Sequence, residues 1–157
     1  MEPSIGIKPA HLSAVSKILS VALADEFLLY TKTRNAHWNV EGQDFHDKHL
    51  FYESQYEKLD EMMDEVAERI RMLGHYAPAT LKDFLELTHI SEQSREKNDS
   101  AGFSKELLND HESIIVFLRE NINKVANEYL DLGTSDFMTG IMEEHEKMAW
   151  MLRAQLK

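Results

Sequence analysis

Lys32 to Arg71 reads KTRNAHWNVEGQDFHDKHLFYESQYEKLDEMMDEVAERIR, and the fold follows from this stretch. It carries His37 and His49, then carboxylates at Glu53, Asp64 and Glu68. Imidazole together with carboxylate is the donor set of iron, manganese and zinc sites rather than of a hydrolytic triad. Apolar spacing ends one helix near Asn39, before Gly42, and begins a second after Asp44, which reads as an N-cap with Asp47 as an acidic variant of the capping box. Phe45, His49, Tyr52, Tyr56, Leu59, Met63, Val66, Ile70 and Leu73 then alternate steps of four and three, the signature of a long bundle helix.

Helix geometry constrains what the five side chains can do. At about 100° per residue, positions 49, 53, 64 and 68 fall within an arc of roughly 100°, so they share one side of the second helix. Along the axis, the midpoint of His49 and Glu53 lies about 22 Å from that of Asp64 and Glu68, at ~1.5 Å per residue. Metal–ligand bonds are roughly 2.0–2.2 Å, so no single ion touches both pairs, and each pair in one chain is half a site. Two copies of the helix packed antiparallel about a twofold axis near residues 58 and 59 would bring the halves together, giving two identical sites per dimer. His37 fits this arrangement, because the short link through Val40 to Gln43 makes the two helices antiparallel neighbours. Both imidazoles then stand roughly one turn from the loop.

Three runs carry a family resemblance: KTRNAHWNVEG (32–42), FHDKHLFYE (45–53) and DEVAERIR (64–71). They resemble the Dps family, the DNA-binding proteins from starved cells or mini-ferritins, and the closing run Met148 to Leu156 is similar to the family's last helix. The resemblance implies ferroxidase ligands at His37, His49, Glu53, Asp64 and Glu68, with Trp38 beside the first histidine and close enough to iron to intercept radicals. Glu53 departs from the aspartate of many members. It also implies a hollow dodecamer built from twofold dimers, with dinuclear iron sites between subunits that oxidise Fe²⁺ with hydrogen peroxide, dioxygen serving less well. Ferric mineral would be stored inside, protecting against oxidative stress. By similarity, Asp136 is a candidate for an acidic threefold pore, with Asp131 a weaker one.

Composition narrows the partners. A chain of 157 residues is expected to form one ferritin-like domain over 1–157. With no cysteine, disulfides and thiolate metal sites are excluded, which suits a reducing cytoplasm. MEPSIGIKPAHLSAVSK lacks a basic start followed by an apolar core, and no stretch has the roughly 18 apolar residues of a membrane span, so a cytoplasmic location is expected. The net charge of −11 works against phosphate backbones. Many family members owe DNA binding to a lysine-rich tail, whereas only Lys8 and Lys17 precede residue 20 and the chain ends Gln155-Leu156-Lys157. Nucleoid binding with iron oxidation secondary, and a nucleoid-associated location, is therefore the alternative reading. The same acidity would draw Fe²⁺ towards a shell.

The rest of the chain completes an all-α, ferritin-like four-helix bundle. A first helix beginning after Pro9 keeps three-and-four spacing through Leu12, Val15, Leu19, Ala22, Leu23, Phe27 and Tyr30. Gly74 to Ser100 is a long connection containing one short helix, Thr80 to Leu87, capped by Thr80. A link this long is explained if it crosses the whole bundle and makes the second and third helices parallel. Leu108, His111, Ile115, Leu118, Ile122, Val125 and Tyr129 mark the third helix. Gly133 is expected in the left-handed conformation, with Thr134 capping a fourth helix that faces Phe137, Ile141, Met148 and Leu152 inward.

Each signal has a plainer account. A lone His49 in an apolar seam is most simply a core histidine; it is the combination with His37 and three carboxylates that makes a metal site. His111 sits on a seam without a matching carboxylate pair and reads as structural, and His11, His75, His89 and His145 as solvated or core. His46 and Asp47 belong to a first helical turn. Trp38 serves equally as an interface packing residue, and Asp136 as a dipole partner for the fourth helix. Glu57, Asp60 and Glu61 are either a mineral-nucleating face or a solvated one. Met63 falls on the apolar seam and reads as core, so no haem is expected. An ordinary ferritin would need Glu-x-x-His on two helices, which the chain does not supply.

Overall fold

Pro9 opens α1 (Pro9–Asn39), in the first turn where its missing N–H would have no intrahelical partner. The computed structural model describes residues 3–92 and 96–157; part of the polar stretch expected after the short helix, 93–95, lies outside them. The remaining helices are α2 (Phe45–Met72), α3 (Leu81–Leu87), α4 (Ser100–Asn127) and α5 (Leu132–Ala154). No strand occurs among the described residues, only one isolated parallel bridge between Glu41 and Asp99.

That bridge shows why the connection is long. Glu41 N–H donates to Asn98 C=O at 2.8 Å, so the chain has left α2 at Leu73 and come back to the loop where α2 began. At ~1.5 Å per residue the return covers about 40 Å. Tyr52 then hydrogen-bonds both Ser100 C=O and Ser104 Oγ, which sets the start of α4 beside the start of α2 and makes them parallel. Arg69 with Thr134 at one end, and Lys48 with Gln155 at the other, make α5 antiparallel to α2. This is a ferritin-like bundle with one crossover. α3 lies against α1 through stacked Phe27 and Phe84, whose centroids are 4.3 Å apart.

The core is the apolar seam carried inward from all four long helices, with Leu19, Leu29, Tyr52, Leu59, Met62, Ile70, Ile114, Leu118, Met138 and Leu152 essentially inaccessible. Two capping expectations are corrected. Asp44 has a backbone outside the extended region and makes no side-chain cap. Its Oδ2 instead accepts from Ser100 Oγ at 2.6 Å, tying the start of α2 to that of α4, and the box with Asp47 does not form. Before α5 it is Leu130, at φ 58°, that takes the left-handed conformation, while Gly133 lies within the helix. Asp131 is the cap: its Oδ1 accepts from Thr134 N–H at 2.9 Å and its Oδ2 from Thr134 Oγ1 at 2.6 Å.

The Asp131 cap is also a buried anchor. Arg69 donates to Thr134 Oγ1 through Nε and Nη2, and Nη2 stands 3.6 Å from Asp131 Oδ1. Asp131 is 2 % exposed. Asp131→Ala loses a helix cap and strips Arg69 of its counter-charge, so the expected loss is about 2–4 kcal/mol, with Asp131→Asn keeping the cap and losing roughly half as much. Chemical denaturation at fixed protein concentration checks both; an Ala variant within about 0.5 kcal/mol of wild type would contradict the assignment.

Candidate metal centre

The last turn of α1 and the second turn of α2 bring His37 and His49 face to face. Their rings stack with centroids 3.8 Å apart at 21°. His37 Nδ1 lies 2.8 Å from His49 C=O, and His49 Nδ1 lies 2.8 Å from His37 C=O. A carbonyl oxygen only accepts, so each Nδ1 is the donor and carries the proton. In the neutral imidazole this fixes the tautomer whose Nε2 keeps its lone pair, the arrangement expected of metal-binding histidines with a fixed outer shell. The bond also satisfies His37 C=O, one of the carbonyls that the end of α1 leaves without a helical partner.

Glu53 stands one turn further along α2 on the same side, half-buried, with Oε1 3.3 Å from the Tyr56 hydroxyl. Asp64 and Glu68 lie on the same helix towards its other end, and both are exposed. Asp64 opens into a crevice between α2 and the α3 region, lined also by Leu23, Phe27, Asp60, Ala67 and Phe84. The structure therefore brings His37 and His49 together, with Glu53 one turn further along α2, and places the Asp64 and Glu68 pair about 22 Å along that helix from the His49 and Glu53 pair. Among the described residues, no three His, Cys, Asp or Glu side chains of one chain meet closely enough to hold a metal ion.

The flanking residues take particular places. Trp38 is 66 % exposed, with the Arg34 guanidinium 5.7 Å from its ring centroid. Met63 is buried. Asp136 is exposed on α5, whereas the oxygens of Asp131 are already engaged by Thr134 and Arg69. His11 Nδ1 donates to Tyr129 C=O, and His89 stands 3.3 Å from Asp25. The chain's one Glu-x-x-His, Glu86 to His89, runs across the end of α3, outside the four long helices.

One cluster was not foreseen in the sequence. Glu26 of α1, His111 of α4 and His145 of α5 are each no more than 1 % exposed. His111 and His145 share a hydrogen bond between their Nδ1 atoms at 2.9 Å, and His145 Nε2 is 3.7 Å from Glu26 Oε1, too far for a hydrogen bond. Burial drives the Glu26 carboxyl above its ordinary value and holds His111 well below that of a free histidine, with the neighbouring His145 adding to the latter. ALADEFLL carries a signal, a carboxylate pair inside an apolar run, but nothing local says that both are buried, Asp25 accepting from Thr88 and His89 while Glu26 lies beside His145.

Comparison with known proteins agrees with this architecture. A ferritin-like domain model matches residues 16–157. An uncharacterized low temperature-induced protein of Nostoc is 40% identical over 96% of this chain and 84% of that protein. A protein named DNA protection during starvation protein 2, from Bacillus anthracis, is 37% identical over 90% of this chain and 96% of its own. The Dps protein of Vibrio cholerae, described as one of a broad superfamily of ferritin-like diiron-carboxylate proteins, superposes with a TM-score of 0.92 at 29% identity, covering 99% of this chain and 97% of that one. Fold and domain model together define a ferritin-like protein. Within that class the chain belongs to the Dps family of mini-ferritins. No helix among the described residues is long and apolar enough to cross a membrane.

Proposed function

We propose that this protein is a ferroxidase and iron store whose dinuclear sites form between twofold-related subunits, with His37, His49 and Glu53 from one chain and Asp64 and Glu68 from the other. The observation that carries the reading is the reciprocal bond between the two histidines, which commits both Nδ1 atoms and leaves the Nε2 atoms as the donors for a cation, in a chain where, among the described residues, no three His, Cys, Asp or Glu side chains meet closely enough to hold a metal ion. Fe²⁺ is the substrate. Two ferrous ions each give one electron to hydrogen peroxide, whose O–O bond breaks; with two waters the products are two ferric oxyhydroxide units and four protons. The chain's part is to hold two cations close together. Three carboxylates per site offset much of the metal charge and favour the ferric product, and imidazole retains Fe²⁺.

Twelve such chains would enclose a cavity for the mineral, with Asp136 the candidate for an acidic pore and Trp38 packing near the site, where it would intercept stray radicals. Absence of cysteine suits the cytoplasm, where Fe²⁺ is kept reduced. The name of the Bacillus relative raises DNA protection as a second reading, in which the shell itself coats DNA. A net charge of −11 opposes it, because non-specific affinity comes from neutralising phosphates. The test uses the assembled protein twice. Peroxide-dependent oxidation of added Fe²⁺, followed by ferric absorbance, is expected, while DNA is not retarded in a gel at low salt. Retardation without oxidation would overturn the proposal.

A further inference from the structure

Beyond the five proposed ligands, we infer that Tyr56 is the positioning residue of the α1–α2 half-site, fixing Glu53 through its hydroxyl and His37 through its ring. The inference rests on reading His37, His49 and Glu53 as iron ligands. Among the contacts that surround them, Tyr56 is the side chain that reaches both kinds of donor. Its O–H donates to Glu53 Oε1 at 3.3 Å. Its ring meets His37 edge-on, centroids 5.1 Å apart at 76°.

Tyr56 is itself clamped. The Arg34 guanidinium lies 4.0 Å over its face, and the same Arg34 donates from Nε to Tyr30 O–H at 2.9 Å. Tyr30 then closes the frame by meeting the Tyr56 ring edge-on at 6.1 Å and 87°. Such a planar cation can stack and hydrogen-bond at once, which a lysine ammonium cannot. A phenolic O–H is protonated at neutral pH, so Tyr56 is a donor towards Glu53.

The geometry makes the roles separable. His37 and His49 already fix each other through their Nδ1 bonds, whereas among the described residues the lock on Glu53 is the Tyr56 hydroxyl. A free glutamate rotates through several side-chain states, and holding it in one reduces the entropy lost when a cation binds. The hydroxyl therefore acts on cation affinity, and the chemistry of oxidation once both ions are bound is left unchanged. The ring acts on the orientation of His37.

The experiment uses the assembled protein with Co²⁺ as a spectroscopic probe and Fe²⁺ with peroxide as the reaction. Tyr56→Phe keeps the ring, the Arg34 stack and the His37 contact; it is expected to weaken Co²⁺ binding and raise KM for Fe²⁺ by about threefold to tenfold, with kcat within about twofold of wild type. Tyr56→Leu also removes the ring and is expected to change the Co²⁺ visible spectrum, since His37 keeps its Nδ1 bond but loses the edge-on contact that sets its tilt. Arg34→Lys should resemble Tyr56→Phe. Wild-type Co²⁺ affinity and spectrum in both Tyr56 variants would overturn the positioning role while leaving the ligand set standing. Wild-type protein that neither binds Co²⁺ nor oxidises Fe²⁺ would overturn the ligand set, and the role of Tyr56 with it.

Discussion

A His49→Ala chain and an Asp64→Ala chain, each nearly inactive alone, are expected to recover about a quarter of wild-type iron oxidation when co-expressed in equal amounts. Random pairing makes about half of all dimers mixed. In a mixed dimer one site collects both defects and the other collects neither, because the intact His49 of one chain faces the intact Asp64 of its partner. Half of the sites in half of the dimers is the quarter. Alone, each variant loses a metal ligand from every site, and a fall of at least about 100-fold is expected, more than outer-shell changes cost.

The control lies in the choice of pair. His49→Ala mixed with Glu53→Ala puts both lesions on the same half-site, so every site in every dimer is defective and no recovery is expected. A site built inside one chain would give no recovery with either mixture. Ferric absorbance after peroxide addition, on assemblies carrying both tags, measures the difference. Equal failure of both mixtures would remove the intersubunit arrangement, and the half-site separation of about 22 Å along α2 would need another purpose.

How much of this was legible depends on the range of the interaction. The seam of α2 was readable because periodicity is local, and Tyr52, Leu59, Val66 and Ile70 are indeed buried. The crossover was readable from length alone. The depth of His37 and His49 was readable from the short loop, and their meeting followed from it. Asp44 was misjudged because its partner, Ser100, is fifty-six residues away and competes for the carboxylate that a cap would have used. Thr134 does not cap because α5 already begins at Leu132, and its hydroxyl is engaged by Asp131 and by Arg69 of another helix. Lys32 lies within the motif that suggested the family, yet its work is structural, bonding Ser91 C=O and Glu106 to hold the crossover and α4 against α1. Glu26 shows the same limit most clearly, since no local pattern predicts a charge placed at the centre of a bundle.

That charge sets the stability of the fold against pH. Glu26 is fully buried, among the described residues its Oε1 and Oε2 and His145 Nε2 have no hydrogen-bond partner, Asp25 and Glu65 add negative charge nearby, and His145 offsets only part of the cost across 3.7 Å. Glu26 therefore holds its proton to higher pH in the folded state than its ordinary 4.5, and stability falls as pH rises above that value. His111 has the opposite limb: its folded value lies well below 6.5, so the unfolded chain takes up the proton first and stability is lost as pH falls below about 6.5. Between them the two groups narrow the range in which the bundle is most stable. Glu26→Gln keeps the shape, removes the buried charge and supplies an amide N–H towards His145. It is expected to raise stability by about 1–3 kcal/mol at pH 8 and by much less at pH 4, where the wild-type carboxyl is already protonated. His111→Gln is expected to flatten the loss between pH 6.5 and 5 while leaving the alkaline limb in place. Denaturation midpoints across pH at one protein concentration separate the two limbs. A Glu26→Gln variant that is less stable than wild type at pH 8 would mean that the carboxylate is held by a partner strong enough to offset its burial.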